Sequence, residues 1–255
     1  MLNRRLFLKS ATAAAAAAAF APRAAAQNRV LGTVLDYSAG VPSAASIKNA
    51  GHLGAVRYVS RPRASWMRGK PLQIAETRDF QAHGISTASV YQYGKADTAD
   101  WLGGAGAAAI HAPQAIALHR AAGGPTGRPI YIAIDDNPTR AQYENQIRPY
   151  LHAFSLALSA AGYRTGVYGN YNVIQWCSDD GIGTFFWMHD WGSGGRIHPR
   201  ANIHQVARRF TTIDGVQCDV NDVYSPDWGQ WSPTALAPQL SSELSSAIPW
   251  DKLLR

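Results

Sequence analysis

From Arg29 onward, short runs rich in β-branched and aromatic residues alternate with longer stretches whose apolar positions recur at helical spacing. The pattern predicts strands over residues 30–37, 55–60, 85–93, 129–137, 164–170, 184–191, 203–206 and 215–223, and helices over 43–50, 72–82, 107–121 and 140–161. Glycine or proline stands near many boundaries, among them Gly51, Gly54, Gly84, Gly123, Gly124, Pro129 and Gly162. Such alternation predicts parallel strands joined by crossover helices. Eight strands in about 200 residues suit an α/β fold closed as a (β/α)8 TIM-type barrel better than an open sheet. After Trp191 the strands are separated by short polar loops with no convincing helix, so the barrel is expected to be irregular in its last third.

The two ends of the chain break this pattern. Asn3-Arg4-Arg5-Leu6-Phe7-Leu8-Lys9 precedes a weakly hydrophobic alanine run and then Ala24-Ala25-Ala26. That order is expected of a twin-arginine (Tat) signal peptide, residues 1–26, with a small-x-small cleavage site. The barrel is expected over 27–224, and a Ser- and Pro-rich C-terminal tail over 225–255, with one helix candidate around 236–247. The Tat export machinery is the implied partner during translocation, and a periplasmic, extracellular or cell-wall location the implied destination. No transmembrane segment is expected in the mature chain.

Composition narrows the function classes. A 46% hydrophobic share supplies a sizeable core and excludes a disordered chain. The net charge of +7 falls to +3 once Arg4, Arg5, Lys9 and Arg23 leave with a signal that contains no acid, so no nucleic-acid partner is expected. Two cysteines, Cys177 and Cys218, exclude a disulfide-stapled scaffold. Tat substrates fold before export, so both are expected to be thiols at folding.

Chemistry in such a barrel sits where the strands end. The first strand ends Val34-Leu35-Asp36-Tyr37-Ser38, the fourth Ile134-Asp135-Asp136-Asn137, and the last runs Cys218-Asp219-Val220-Asn221-Asp222. Period-two alternation turns Ile130, Ile132, Ile134 and Asp136 toward the outer helices, and Tyr131, Ala133, Asp135 and Asn137 toward the barrel mouth. Asp219 and Asn221 share a side of the last strand, and closure makes that strand a neighbour of the first, so Asp36 and Asp219 are expected to be close. Clustered carboxyls repel one another and raise at least one pKa, as general-acid chemistry requires. Glycosidic bond cleavage is the reaction that most naturally uses such a cluster. Tyr37, Tyr91, Tyr93, Tyr168, Trp187 and Trp191 fall near predicted strand ends, where ring faces can stack on sugars; singly, each is also what ordinary packing would put there.

These residues resemble the lysozyme barrels of glycoside hydrolase family twenty-five. They are still more similar to the exported glycoside-hydrolase-like family once filed as domain of unknown function 1906. The motifs are Val34-Leu-Asp36-Tyr-Ser, Arg57-Tyr58, Ile130-Tyr-Ile-Ala-Ile-Asp135, Gly166-Val-Tyr168-Gly and Phe186-Trp187, and the match spans roughly residues 30 to 224. The resemblance implies a (β/α)8-type barrel and a cell-wall glycan such as peptidoglycan as substrate or ligand, with no metal and no organic cofactor. Carried over by position, Asp36, Asp135 and Asp219 match mouth acids, Tyr168 and Trp187 sugar-contacting aromatics, and Gln205 a polar rim residue. Tyr37, Arg57, Tyr91, Asn137 and Asn221 complete the candidate substrate-binding set. For hydrolysis, Asp135 is the expected proton donor, with Asp36 and Asp219 positioning water or stabilising an oxocarbenium-like transition state.

One departure keeps a second reading open. Where the lysozyme family has a proton-donating glutamate, this chain has Asn137, and an amide has no proton of useful acidity. A non-catalytic glycan-binding barrel accommodates that amide directly. A third reading, polysaccharide deacetylase, is echoed by Asp135-Asp136-Asn137-Pro138 but needs a metal held by an aspartate and two histidines. His52, His83, His111, His119, His152, His189, His198 and His204 offer no close pair near a strand end, and His189-Asp190 is the best candidate for a ligand or acid–base pair. There is no Gly-x-Ser-x-Gly elbow and no phosphate loop, and Cys177, expected in a loop, has no flanking catalytic signature.

Overall fold

Eight strands close into one barrel in chain order: β1 (Gly32–Asp36), β2 (Gly54–Tyr58), β3 (Ser86–Tyr91), β4 (Pro129–Ala133), β5 (Arg164–Gly169), β6 (Phe185–His189), β7 (Ile203–Ile213) and β8 (Val216–Val223). The structure, a computed structural model, describes residues 29–233; the expected signal peptide and the helix candidate at 236–247 lie outside the described residues. The crossovers are α1 (Ala44–Asn49), α2 (Ile74–Ala82) and α3 (Gly104–Ala121), then α4 (Arg140–Gln142), a π turn over Tyr143–Ile147 and α5 (Arg148–Ala160), and finally α6 (Tyr171–Asp179). Pro149 offers no N–H to the carbonyl four residues back, and the π turn widens the helix just before it. No helix among the described residues is long and apolar enough to cross a membrane.

The consecutive pairs from β1–β2 to β6–β7 are parallel, and no helix follows α6 among the described residues, so the last third is irregular as expected. The hand of that irregularity was not expected: β8 runs antiparallel to both β7 and β1. Asp214-Gly215, with φ of 49° and 76°, joins β7 to β8 as a two-residue turn. Positive φ at both central residues matches the twist of a hairpin, which needs no crossover helix. β7 therefore continues to Ile213 rather than stopping at 206; its outer half is mostly exposed and lacks a core-facing apolar row.

α6 also escaped the sequence reading. Asn170 caps it, accepting from the Val173 amide at 2.9 Å, and Val173, Ile174 and Cys177 bury one face. The β-branched pair and the tryptophan obscured a helical spacing. Cys177 thus sits on a helix, not in a loop.

Alternation divides the core into two layers. Val34, Val56, Val90, Tyr131, Ala133 and Trp187 fill the barrel, whereas Ile130, Ile132 and Ile134 pack outward on Tyr143, Tyr150, Phe154 and Leu158. Residues 225–233, read from composition as the start of a tail, continue this packing. The Trp228 carbonyl accepts from the Tyr131 hydroxyl at 2.9 Å, Trp231 exchanges backbone hydrogen bonds with Thr87, and its indole donates to Ser89 at 3.1 Å. Both tryptophans are buried and close the end opposite the mouth.

On the outer wall, a buried ion pair ties four segments together. The Arg57 guanidinium, fully buried, donates to Glu76 on α2 (2.6 Å), to Gly69 O (2.5 Å) and to Tyr37 O, and stacks on the Tyr37 ring. Removing one partner strands the other charge out of water, at a cost of about 3–5 kcal/mol, whereas an apolar pair of similar volume is far less costly. Glu76→Ala should therefore lose stability on that scale in urea unfolding, and Arg57→Met with Glu76→Leu should lose less than either single change.

Candidate active site

The β1–β8 register sets Asp36 directly opposite Asp219, and residues so paired share a face, here the interior one. Asp219 falls midway along the reversed β8; the sequence reading had it near a strand end, but its place at the mouth is unchanged. Asp135, two residues beyond β4, keeps the inward parity. The three acids line one cleft of about 900 Å³. Asp136, expected to face away from the mouth, lines the cleft as well, and accepts from the Trp101 indole at 2.8 Å.

Amides and phenols bind these carboxyls into one network. Asn221 donates to Asp36 at 2.9 Å and accepts from the Trp187 indole at 2.8 Å. The Gln205 amide donates to Asp219 at 3.0 Å and reaches Asp36 at 3.4 Å, while its oxygen accepts from Tyr168 at 2.5 Å. The Tyr168 hydroxyl lies 3.5 Å from Asp135, and the Tyr58 hydroxyl 3.4 Å from Asp36. Asp135 also accepts from Gln92 at 3.0 Å and ion-pairs with Lys95 at 3.3 Å.

Burial, and then the Asp219 charge, push the Asp36 carboxyl up to about 8, against the hydrogen bonds from Asn221 and Tyr58. Asp219 is raised as well, by burial and by Asp135, with the Gln205 bond opposing. Burial lifts the Tyr58 and Tyr168 phenols well above their usual range, which keeps them as hydrogen donors. Two carboxyls so close cannot both ionise freely, so the pair retains a proton at neutral pH.

The other candidates separate by strand parity. Tyr168, Gln205 and Asn137 line the cleft. Gln205 is a buried bridge between two carboxyls, not a rim residue. Trp187 and Asn221 lie under the floor and orient Asp36 instead of facing the cleft. Tyr37, Arg57 and Tyr91 point the other way: Tyr37 and Arg57 belong to the Glu76 clamp, and the Tyr91 hydroxyl bonds His111 at 2.6 Å. In each case the inward residues are one position away, at Asp36, at Val56 and Tyr58, and at Val90 and Gln92.

Tyr58 and Gln92 were therefore missed, although counting by two from Val56 and Val90 finds both. Arg63, Trp66 and Lys70 on the β2–α2 loop also line the cleft, and no periodicity marks them. Tyr93 and Trp191 are at the mouth, as the aromatic pattern indicated. Asn137 accepts from Asn170 at 3.2 Å against Gly192, where a Cβ would come within 2.0 Å of its oxygen.

His189 and Asp190 do not form a pair. His189 stacks on Trp191 (4.0 Å between ring centres), and burial pushes its pKa down to about 4, leaving it neutral. Asp190 turns outward to His204 and to the Ala207 amide. Both cysteines are free thiols in separate core clusters, each pushed up to about 12 by burial. Among the described residues, no three His, Cys, Asp or Glu side chains are grouped to hold a metal ion, so the deacetylase reading lacks its ligand set.

A closed α/β barrel of eight strands with three carboxyls converging at its mouth has the form of a glycoside-hydrolase-like protein. The chain belongs to the Rv2525c-like, glycoside hydrolase-like domain family, whose model matches residues 45–223. It is 52% identical over 206 residues to Rv2525c of Mycobacterium tuberculosis, a protein provisionally named a peptidoglycan hydrolase; the match covers 79% of this chain and 85% of that one. The solved structure of that Tat-secreted protein with L-tartrate aligns at TM-score 0.74 and 51% identity, covering 79% of this chain and all of that one. The modular autolysin LytC of Streptococcus pneumoniae, solved with a synthetic peptidoglycan ligand, shares the fold at TM-score 0.50 and 15% identity, over 74% of this chain and 46% of that one.

The Asp36 proton gives a direct test. The folded chain holds it up to about pH 8, whereas an unburied carboxyl releases it near 3.8, so folding loses stability as pH rises between those values. Asp36→Asn removes the ionisation. Its melting temperature relative to the unsubstituted protein should climb by several degrees from pH 4 to pH 8, at roughly 2–4 °C per kcal/mol. A constant difference between the two proteins across that range would show that Asp36 ionises as an ordinary carboxyl.

Proposed function

We propose that this protein is an exported hydrolase that cleaves glycosidic bonds of a cell-wall glycan, with peptidoglycan as its substrate. The observation that carries the reading is the Asp36–Asp219 pair, which keeps a proton at neutral pH, in one cleft with the Lys95-paired Asp135 carboxylate. The proton belongs to the pair, and Asp219, its more exposed member, delivers it to the leaving-group oxygen. Asp135 activates water or stabilises the oxocarbenium-like transition state. This reverses the roles first expected of Asp135 and Asp219, because burial and like charge favour the protonated form at Asp219 and Asp36. Tyr93, Tyr168 and Trp191 offer ring faces to the sugar, and the chemistry needs no metal or organic cofactor.

Export and substrate have further support. The paired arginines stand at residues 4 and 5, and the Mycobacterium tuberculosis relative is described as Tat-secreted and provisionally named for peptidoglycan hydrolysis. Replacing Arg4 and Arg5 by lysine should leave the precursor inside the cell, read by fractionation; unchanged export would remove the Tat assignment.

A glycan-binding barrel without catalysis is the second reading, favoured by Asn137, whose oxygen is already engaged by Asn170. Incubating mature protein with purified peptidoglycan, and scoring both pull-down and released reducing ends, separates the two. Hydrolysis predicts release that falls at least about 100-fold in Asp219→Asn and in Asp135→Asn, with pull-down retained. Pull-down without release by the unsubstituted protein would establish the binding module.

A further inference from the structure

Beside the acids, the same cleft has a basic wall that the proposed hydrolysis leaves unused. It is carried by the loop between β2 and α2, and that loop is pinned at several points. Gly69 N donates to Ser38 O at 2.8 Å, Gly69 O accepts from Arg57, and Leu72 N donates to Tyr58 O at 2.9 Å. Lys70 is held between those anchors. Its ammonium sits 3.8 Å from the centre of the Tyr58 ring and donates to the Gln92 carbonyl at 3.0 Å. An ammonium has three donors, so a ring and one carbonyl leave it capacity to bind a ligand.

Arg63 lines the same cleft. Its guanidinium donates to Thr98 at 2.5 Å and lies 5.3 Å from the Tyr93 ring centre. Among the described residues, neither Lys70 nor Arg63 has a carboxylate within ion-pair distance, in contrast to Lys95 on Asp135. Burial, together with the like charge of Arg57 and Arg63, lowers Lys70 to about 8, while Asp36 and Asp100 attract it from beyond contact distance. Burial of the Lys70 ammonium is unfavourable until an anion approaches it, and the exposed Arg63 adds its positive charge to the same wall.

We propose that Lys70 and Arg63 form a subsite for a carboxylate carried on the sugar, so that the cleft selects acid-substituted glycans over neutral ones. The inference rests on the reading of the cleft as a glycan site, but not on hydrolysis. It also sets the direction of the bound chain: the acidic substituent lies on the β2–α2 loop side of the cleft. Tyr58 joins the two regions, since its ring carries Lys70 and its hydroxyl reaches Asp36.

The test is calorimetric titration of the mature protein with three probes. These are the N-acetylglucosaminyl-N-acetylmuramic acid disaccharide, the same disaccharide with its lactyl carboxyl converted to the methylamide, and free D-lactate. A charge-assisted contact predicts that the acid binds at least about tenfold more tightly than the amide. Lys70→Met and Arg63→Gln should each remove most of that preference and leave amide binding unchanged. Arg63 is exposed, so its variant tests the subsite even if Lys70→Met fails to fold. Equal affinity for acid and amide, or no binding of either, overturns the proposal. So does D-lactate binding as tightly as the acid disaccharide, which would mark a site for a free small carboxylate. Acid preference without release of reducing ends from peptidoglycan keeps the subsite and removes the hydrolase; release without preference does the reverse.

Discussion

Two carboxyl groups face one another across the seam that closes the barrel, and the mouth is organised around their repulsion. The Asp36–Asp219 register exists because β8 returns antiparallel from the Asp214-Gly215 turn. A slip of one residue would turn either acid out of the interior. With the register held, the repulsion is met in two ways: Asn221, Gln205 and Tyr58 direct donors at the carboxyl oxygens, and the pair keeps one proton. Gln205 and Asn221 are themselves paired across β7 and β8, so the hairpin that brings Asp219 in also brings the amides that make its presence tolerable.

The opposite end of the barrel answers a different constraint. Trp228 and Trp231 fill it with apolar bulk, and the polar groups they cover, the Tyr131 hydroxyl and the Ser89 hydroxyl, are hydrogen-bonded to the same segment. Outside the wall, Arg57 and Glu76 anchor Gly69, and so hold the loop that carries Lys70 over the mouth. Arg57, which resembled a ligand contact in the sequence, instead fixes the loop that faces the cleft.

The legible parts of the chain were those with a strong period. Seven of the strands fall close to their expected places, and the helices at 43–50, 72–82, 107–121 and 140–161 are present, because apolar spacing there is unambiguous. Within the site, parity was informative but incomplete: on β8 it kept Asp219 with Asn221, whereas on β4 it turned Asp136 away from a cleft that Asp136 lines together with Asp135. Tyr37, Arg57 and Tyr91 were chosen by nearness to a strand end alone, and alternation puts each on the helix side. The direction of β8 left only a two-residue mark, Asp214-Gly215, inside an exposed polar stretch. α6 was hidden by residues that favour strands. Lys70 and Arg63 come from a loop, where position is set by tertiary anchors that no local pattern reports.

The departure at Asn137 takes a different meaning beside this geometry. An amide at the β4 end removes a proton donor from that side of the mouth, where Asp135 is ion-paired with Lys95. On the other side, burial and like charge keep a proton at the β1–β8 seam, on groups whose partners are amides and phenols rather than cations at contact distance. Acid and base functions need different surroundings, a dry and repulsive one for the acid and a cationic one for the base. On the proposed reading this cleft supplies both, with the acid environment at the seam. Asn137, held by Asn170 and backed by Gly192, is then free to act as an uncharged wall, since a further ionised carboxyl there would bring more repulsion to a cleft that four aspartates already line.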